Sequence, residues 1–495
     1  MEIKVKVIND GKIISAQSGE KLLSVLADNG YFIPAFCGGR GDCGKCKVRI
    51  ANGVVSGANP DASGMVLSCK AILTEDLTVE IPQTNGGGFD EFDYEEVESN
   101  RDGLGVVIDI GTTTVVAVLV DLKSGKCIKK VSGLNAQAPF GADVISRIDA
   151  CANGKLDALN RLIVGQCSKF VNELLANKMA EEVVITANTT MLHLFLGVDP
   201  QSIGVSPFTP TFTDEKVFDG EKFGFPAKKV RLLPSVSGYI GADVVSGVLS
   251  CNVGNNDGQM LVDVGTNGEV VLFSNGKYYA TSTAAGPAFE GACIECGSGG
   301  ITGAISRVFK NATDLELNVI GGGKAKSICG SGLIDAVALL VEEGLIDETG
   351  AFDDECESAL SNRLVDDKFY LTDEVYISQA DIRQVQLAKS AVKSGIETLL
   401  FERQTSINAI TTIFLAGGLG RFISEENAIK IGLLPQGFAG KIKVVGNSAV
   451  AGARLCLLDE KRSAMANKLS NEVEVVELAN SQKFQTAFVD NMYFE

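Results

Sequence analysis

The sequence predicts a small α+β domain at the N-terminal end, joined by an acidic tether to a large two-lobed α/β domain made by internal duplication. Three observations carry that prediction. Four cysteines, Cys37, Cys43, Cys46 and Cys69, sit among glycines within a run of short alternating segments. A strand–turn–strand unit around Asp109 recurs around Asp263, 154 residues later. A third apolar strand, beginning at Ile413, runs into a cluster of glycines. At 495 residues the chain is too long for one core, so two or three compact units are expected.

Residues 2–8 alternate like a strand, 9–11 (N-D-G) read as a turn, and 12–16 return as the hairpin partner. Residues 18–26 then read as a short helix with Leu22, Leu23 and Leu26 on one face, and 77–81 as another alternating strand. Between them lies C-G-G-R-G-D-C-G-K-C, with cysteine gaps of five and two residues and the fourth cysteine twenty-two residues further on. Gly38, Gly39, Gly41 and Gly44 suit a loop that needs φ > 0 and amides aimed at sulfur, and Arg40 and Lys45 add positive charge. A zinc ribbon would use two C-x-x-C pairs, whereas only Cys43 and Cys46 form one. The spacing resembles that of plant-type ferredoxins, which hold a 2Fe-2S cluster, with one extra residue in the first gap. The resemblance implies a β-grasp ferredoxin domain over 1–85, with Cys37, Cys43, Cys46 and Cys69 as cluster ligands.

Residues 84–102 combine three glycines with a run of acidic side chains, a composition that cannot bury a core. A flexible acidic linker is therefore expected over 86–102. Its Phe89, Phe92 and Tyr94 either dock transiently on a neighbour or belong to a solvated hinge.

Gly105 to Thr114 (G-V-V-I-D-I-G-T-T-T) and Met260 to Phe273 (M-L-V-D-V-G-T-N-G-E-V-V-L-F) repeat one pattern: an apolar strand, an Asp-x-Gly-Thr turn and a returning strand. Such turns present amides and hydroxyls to phosphates, while the aspartate reaches magnesium through water. The expected phosphate-binding residues are Gly111, Thr112, Thr113 and Thr114 in the first copy, and Gly265, Thr266, Asn267 and Gly268 in the second. Ile413 to Gly420 (I-F-L-A-G-G-L-G) supplies Gly417, Gly418 and Gly420, where backbone can approach a flat ring, followed by Arg421. In this order the three pieces resemble the phosphate-1, phosphate-2 and adenosine motifs of the acetate and sugar kinase, Hsc70 and actin superfamily. The resemblance implies an actin-like ATPase of duplicated ribonuclease-H-like lobes. Lobe I is expected over 103–255, lobe II over 256–445, and a return helix with a C-terminal segment packing on both over 446–495. Segments 232–249 and 444–457 fall where the superfamily has its two connecting helices, and small residues line both, as close crossing requires. The helix expected over 378–400 belongs to the adenosine side, with Lys389 either against the base or ribose or exposed on a solvated face.

A 2Fe-2S ferredoxin joined to this ATPase resembles the ATP-dependent reductive activators of corrinoid proteins. Further similar segments are N-A-Q-A-P-F-G-A-D-V-I-S-R-I from Asn135, A-N-T-T-M-L-H-L-F-L-G from Ala187, I-C-G-S-G-L-I-D from Ile328 and D-I-R-Q-V-Q-L-A-K from Asp381. Larger members carry a further linker domain where this chain has its acidic tether, which leaves dimer geometry and partner choice open; a homodimer is one expected assembly. The resemblance implies ATP and Mg2+ held by Asp109 and Asp263, lobe closure on a bound corrinoid protein, and one electron delivered from the cluster to turn cob(II)amide into cob(I)amide. Asp243 or Glu269 is expected either to orient the attacking water or to be structural. Plant-type clusters sit near about −400 mV and the cobalt couple is expected lower, so a gap of roughly 100 to 200 mV costs about 2 to 5 kcal/mol.

Composition excludes other classes. A net charge of −18 without a basic cluster argues against nucleic acid, and no apolar run reaches eighteen residues, so no membrane partner is expected. Nothing at the start reads as a leader peptide, and with a cluster to keep intact the thirteen scattered cysteines suit a reducing cytoplasm. His193 is the sole histidine and sits among apolar neighbours, so a core position is expected over a ligand or base. Cys293 and Cys296, with Cys329, offer a second cluster only weakly. Asn188, Thr189 and Thr190 follow a buried strand and face either corrinoid or phosphates. Residues 472–478 alternate like an edge strand, and Phe484, Ala487, Phe488 and Met492 recur at helical spacing. Two rival readings remain: a small-molecule kinase with a regulatory ferredoxin, using Asp243 as base, and a non-catalytic electron carrier or ATP-dependent partner-binding protein.

Overall fold

The computed structural model describes residues 2–494 apart from 30, 32, 34, 36–38, 40, 42, 43, 45, 62, 83–98, 313 and 419–422. Cys37, Cys43, Gly420, Arg421, Arg40, Lys45 and most of the expected linker, with its three aromatics, lie outside the described residues.

The N-terminal domain contains β1 (Glu2–Val7), β2 (Ile13–Gln17), α1 (Leu22–Asp28), β3 (Lys47–Asn52), β4 (Val55–Ser56), β5 (Met65–Leu67), β6 (Ile72–Leu73) and β7 (Leu77–Glu80). Its main sheet has the order β2-β1-β7-β3-β5, with β7 parallel to β1. Leu22, Leu23 and Leu26 of α1 close a core over Ile3, Val5 and Val79. The helix starts at Leu22 rather than Ser18 because the backbone of 19–22 first pairs with 71–73: Gly19 donates to Leu73 O and Leu22 to Ala71 O, both at 2.9 Å.

Lobe I runs from β8 (Leu104–Ile110), β9 (Thr114–Asp121) and β10 (Cys127–Leu134) through α2 (Val144–Ala152), α3 (Leu156–Leu175), β11 (Ala180–Ala187), α4 (Thr189–Leu196) and α5 (Gln201–Gly204) to β12 (Lys216–Phe218), β13 (Ala227–Leu232) and α6 (Ala242–Ser250). Its sheet order is β10-β9-β8-β11-β13-β12, an antiparallel meander feeding parallel strands.

Lobe II repeats that arrangement. It holds β14 (Gln259–Val264), β15 (Gly268–Ser274), β16 (Lys277–Thr283), β17 (Ala304–Asn311), β18 (Asp314–Val319), β19 (Ser327–Ile328), α7 (Gly330–Glu342), β20 (Leu364–Val365), β21 (Lys368–Tyr370), β22 (Tyr376–Ser378), α8 (Gln379–Glu402), β23 (Thr412–Gly417), α9 (Glu425–Lys430) and β24 (Ile442–Gly446). The order β16-β15-β14-β23-β24 copies β10-β9-β8-β11-β13, with parallel pairing at the same places. This is the duplication legible in the two Asp-x-Gly-Thr turns.

After β24 the chain returns across the lobes as α10 (Ser448–Leu458), α11 (Glu460–Glu472), β25 (Glu474–Val475) and α12 (Gln482–Asp490). Val450, Ala453, Cys456 and Leu457 of α10 join the core of lobe I, while β25 adds to the edge of the lobe II sheet beside β16. Where α6 and α10 cross, a Cβ on Gly452 would stand 1.8 Å from Ser246 O, so the helices touch through backbone. Among the described residues no helix is long and apolar enough to cross a membrane.

Gly452→Val should force α6 and α10 apart and cost about 3 kcal/mol of stability. The expected result is a lower melting temperature with the visible absorbance of the N-terminal cluster unchanged; an unchanged melting temperature would sink this account of the crossing.

Candidate functional site

The duplicated turns meet across the cleft between the lobes. Asp109 and Asp263 are the penultimate residues of β8 and β14, with the two turns following them. Gly111 N donates to Thr114 O at 3.0 Å in the first turn, and Gly265 N to Asn267 O at 2.9 Å in the second. Thr113 Oγ1 and Thr266 Oγ1 then donate to the same carboxylate oxygen, Glu290 Oε2, at 2.7 and 2.6 Å, and stand 3.3 Å from each other. Glu290 ends a short 3-10 turn, Ala288–Glu290.

Two further acids crowd the same cleft. Asp243 sits in the first turn of α6, where its Oδ1 accepts from Val244 N at 2.8 Å. Glu269 faces Asp263 across the β14–β15 ladder. Asn447, the cap residue of α10, donates from Nδ2 to Asp109 Oδ2 at 2.9 Å while its Oδ1 accepts from Val450 N at 2.8 Å, so the return helix is anchored on the site.

Burial disfavours charge on all of these acids, and repulsion between them adds to it at Asp109, Asp263 and Glu269. Burial pushes Asp109 up to about 7, opposed by the Asn447 hydrogen bond and reinforced by Asp243 and Glu290. Burial, then Asp243, Asp109 and Glu290, push Asp263 up to about 7. Asp243 is raised to about 6 by burial. Glu269 is raised well above the carboxylate range by burial and then by Asp243 and Asp263. Glu290 is raised by burial, against the pull of Thr266, Thr113 and Arg147. Oxygen ligands at this density suit a hard divalent cation, which relieves the repulsion, and this chemistry fits Mg2+.

The glycine strand completes the cleft. Gly417 has φ +105°, and a Cβ there would lie 2.2 Å from Val264 O and 2.7 Å from Asp263 Oδ1, so only glycine brings β23 this close. A Cβ on Gly418 would stand 3.2 Å from Glu290 Cγ, which places this residue beside the same carboxylate.

Not every expected residue converges here. Lys389 is a correction: its buried ammonium donates to Asn491 O at 2.7 Å and Tyr493 O at 2.6 Å and lies 4.8 Å from the centre of the Phe494 ring. It fastens the C-terminal segment to α8 rather than meeting a base or ribose. His193 is a core residue: Nδ1 donates to Thr189 O at 2.8 Å, Nε2 accepts from Thr211 N at 3.1 Å, and the ring stacks on Phe212. Asn188 caps α4 and donates from Nδ2 to Thr112 Oγ1 at 3.0 Å, against the first turn. Cys293, Cys296 and Cys329 form no metal-binding group among the described residues.

In the N-terminal domain Cys46 and Cys69 are each 1 % exposed, and Gly39, Gly41 and Gly44 all take positive φ. Ser68 donates to Cys46 O from both N and Oγ at 2.9 Å, tying the two cysteine segments together. Two buried thiols on one loop-and-strand frame, with left-handed glycines beside them, fit a thiolate-held cluster.

A β-grasp ferredoxin joined to a two-lobed ATPase with facing phosphate turns defines the class. Comparison with known proteins narrows it. The 2Fe-2S iron-sulfur cluster binding domain matches residues 5–74, the RACo middle region matches 104–256, and the C-terminal domain of RACo, described as the ASKHA domain, matches 257–495. The chain is 34% identical over 426 residues to the corrinoid activation enzyme RamQ of Eubacterium limosum, spanning 80% of this chain and 71% of that protein. It is 23% identical over 425 residues to the [Co(II) methylated amine-specific corrinoid protein] reductase of Methanosarcina barkeri, spanning 78% and 76%. The solved structure of a reductive activator for corrinoid, iron-sulfur protein aligns with a TM-score of 0.74 at 28% identity, over 100% of this chain and 98% of that one. The chain belongs to the family of reductive activators of corrinoid proteins. Its cofactors are a 2Fe-2S cluster, ATP and Mg2+.

Because burial raises Asp109 and Asp263 to about 7 in the nucleotide-free protein, Mg-ATP binding beside them should release protons. Affinity should rise as pH rises through about 6 to 8. Their raised values also mean that nucleotide-free stability falls as pH climbs from the unfolded value near 3.8 towards about 7. Calorimetry in buffers of differing ionisation enthalpy checks the release, which Asp263→Asn should diminish; its absence at about pH 6.5 would refute the protonated state.

Proposed function

We propose that this chain is an ATP-dependent one-electron reductase that reactivates a corrinoid protein by converting cob(II)amide to cob(I)amide. The observation that carries the reading is the junction itself: a cysteine-bearing ferredoxin frame on the same chain as a cleft in which both lobes' turns share Glu290. When bound, the cluster supplies single electrons at low potential and Mg2+ neutralises phosphate charge.

The chain's own residues supply the rest. The turn amides and the hydroxyls of Thr112, Thr113, Thr114 and Thr266 address the phosphates, with Gly111, Gly265, Asn267 and Gly268 shaping the turns around them. Gly417 and Gly418 face the adenosine, and Gly420 is the third glycine of the same motif. Asp109 and Asp263 hold Mg2+ through water, and Asp243, less buried than Glu269, orients the attacking water. Glu290 must yield the hydroxyls of Thr113 and Thr266 to any phosphate that claims them, which links nucleotide occupancy to lobe arrangement. Cys37, Cys43, Cys46 and Cys69 hold the cluster. The electron acceptor is a corrinoid protein, a separate electron donor reduces the cluster, and the compartment is the cytoplasm, whose reducing conditions a thiolate-held cluster needs.

Anaerobic mixing of the reduced protein with a cob(II)amide-bearing corrinoid protein should yield cob(I)amide absorbance only with Mg-ATP. Cys46→Ala should abolish it, and Asp263→Asn should slow it by about 100-fold or more while leaving cluster reduction by dithionite intact. ATP consumption on a small hydroxyl substrate with no cobalt reduced across a panel of corrinoid proteins would overturn the reading.

A further inference from the structure

The segment 135–148, N-A-Q-A-P-F-G-A-D-V-I-S-R-I, belongs to none of the three nucleotide motifs, yet it folds directly behind the first phosphate turn. Every carbonyl along the tip of that turn is held from this side. Asn135 Nδ2 donates to Gly111 O at 2.8 Å, Arg147 Nη2 to Thr112 O at 2.5 Å, and Asn135 N to Thr113 O at 2.8 Å. The donors are themselves braced. Asn135 Oδ1 accepts from Gln137 N at 2.9 Å, and Gln137 Oε1 accepts from Arg147 Nη1 at 3.1 Å. Gln137 Nε2 donates to Leu159 O at 3.0 Å and Arg147 Nε to Gly141 O at 3.1 Å. Asn135, Gln137 and Arg147 are all 0 % exposed.

Two physical consequences follow from this cradle. In a trans peptide the carbonyl of one residue and the amide of the next point opposite ways. Pinning the carbonyls of Gly111, Thr112 and Thr113 to the rear therefore turns the amides of Thr112, Thr113 and Thr114 away from the cradle. The second consequence is charge. Among the described residues no carboxylate lies within ion-pair distance of the Arg147 guanidinium, whose partners are carbonyls, an amide oxygen and Met191 Sδ at 3.1 Å. Burial disfavours this cation, and Asp143 and Glu290 support its charge only from beyond contact, so an anion arriving nearby relieves it further.

We propose that Arg147, braced by Asn135 and Gln137, is a positioning residue for phosphate: it sets the first turn's amides towards the nucleotide and places a fixed positive charge behind them. This rests on the reading of that turn as a phosphate site. Arg147 touches the turn and not the nucleotide, so its effect is on ATP recognition rather than on electron transfer from the cluster.

The test uses the full chain with its cluster. Mg-ATP affinity by calorimetry and the KM and kcat of ATP hydrolysis are measured for the wild type, Arg147→Lys and Arg147→Met, with melting temperature and cluster absorbance as controls. Losing charge-assisted donation should raise Kd and KM about 10- to 100-fold in Arg147→Met, with kcat changed far less. Arg147→Lys, which keeps the charge but not the fork, should fall between the two. Equal Kd and KM in all three proteins would overturn the cradle while leaving the phosphate site standing. A wild type that binds no Mg-ATP would overturn the underlying site instead. If Arg147→Met does not fold, Arg147→Lys and Gln137→Met carry the same comparison: raised KM with unchanged melting temperature supports the proposal, and parallel loss of both refutes it.

Discussion

The carboxylate of Glu290 accepts one hydroxyl hydrogen bond from each lobe, from Thr113 and from Thr266. That shared acceptor fixes how the two halves of the large domain face each other. It works because the strands behind the turns are paired alike: β8 beside β11 and β14 beside β23, both parallel, bring Asp109 and Asp263 to equivalent depths in their sheets. Duplication thus produces a site that neither copy could form alone. It also concentrates five acids in one cleft, a cost in stability that is intelligible where a cation and a nucleotide are to be bound.

The return of the chain makes the cleft responsive. Strand β24 belongs to lobe II, and the helix that follows it, α10, packs in the core of lobe I. Asn447 stands at that crossing point and hydrogen-bonds Asp109 while capping α10. A shift of one lobe against the other is therefore transmitted through a covalent connection that ends on the Asp109 carboxylate. The contact of α6 with α10 at Gly452 has no side chain between the backbones, a seam suited to small sliding motions of packed helices.

The cluster loop, both hairpins and the glycine strand were legible because each is a local pattern: spacing of cysteines, alternation, and glycine after an apolar run. What stayed hidden depended on distance. Glu290 meets Thr113 across 177 residues and Asn447 meets Asp109 across 338, and no periodicity encodes such partners. Arg147 lies only 35 residues from Thr112, but its signal is a lone arginine on a short helix, indistinguishable in sequence from a solvated one. Lys389 was misplaced for the converse reason. Its helix was correctly legible, yet which element covers a given face of α8 is decided by the C-terminal segment 491–494, whose carbonyls claim the ammonium.

The energetic demand on this fold is modest. Lifting an electron over a gap of roughly 100 to 200 mV requires about 2 to 5 kcal/mol of coupling. Nucleotide shifts a conformational equilibrium only by the difference in its affinity for the two arrangements. Hydrogen bonds to charged groups contribute about 1.5 to 3 kcal/mol each, so one or two that form in a single lobe arrangement reach the required size. The proposed exchange at Thr113 and Thr266, from Glu290 to phosphate, replaces two such bonds with two others. Because the bonds to Glu290 are given up as bonds to phosphate form, only the difference between the two sets, as the lobe arrangement sets it, contributes to that coupling.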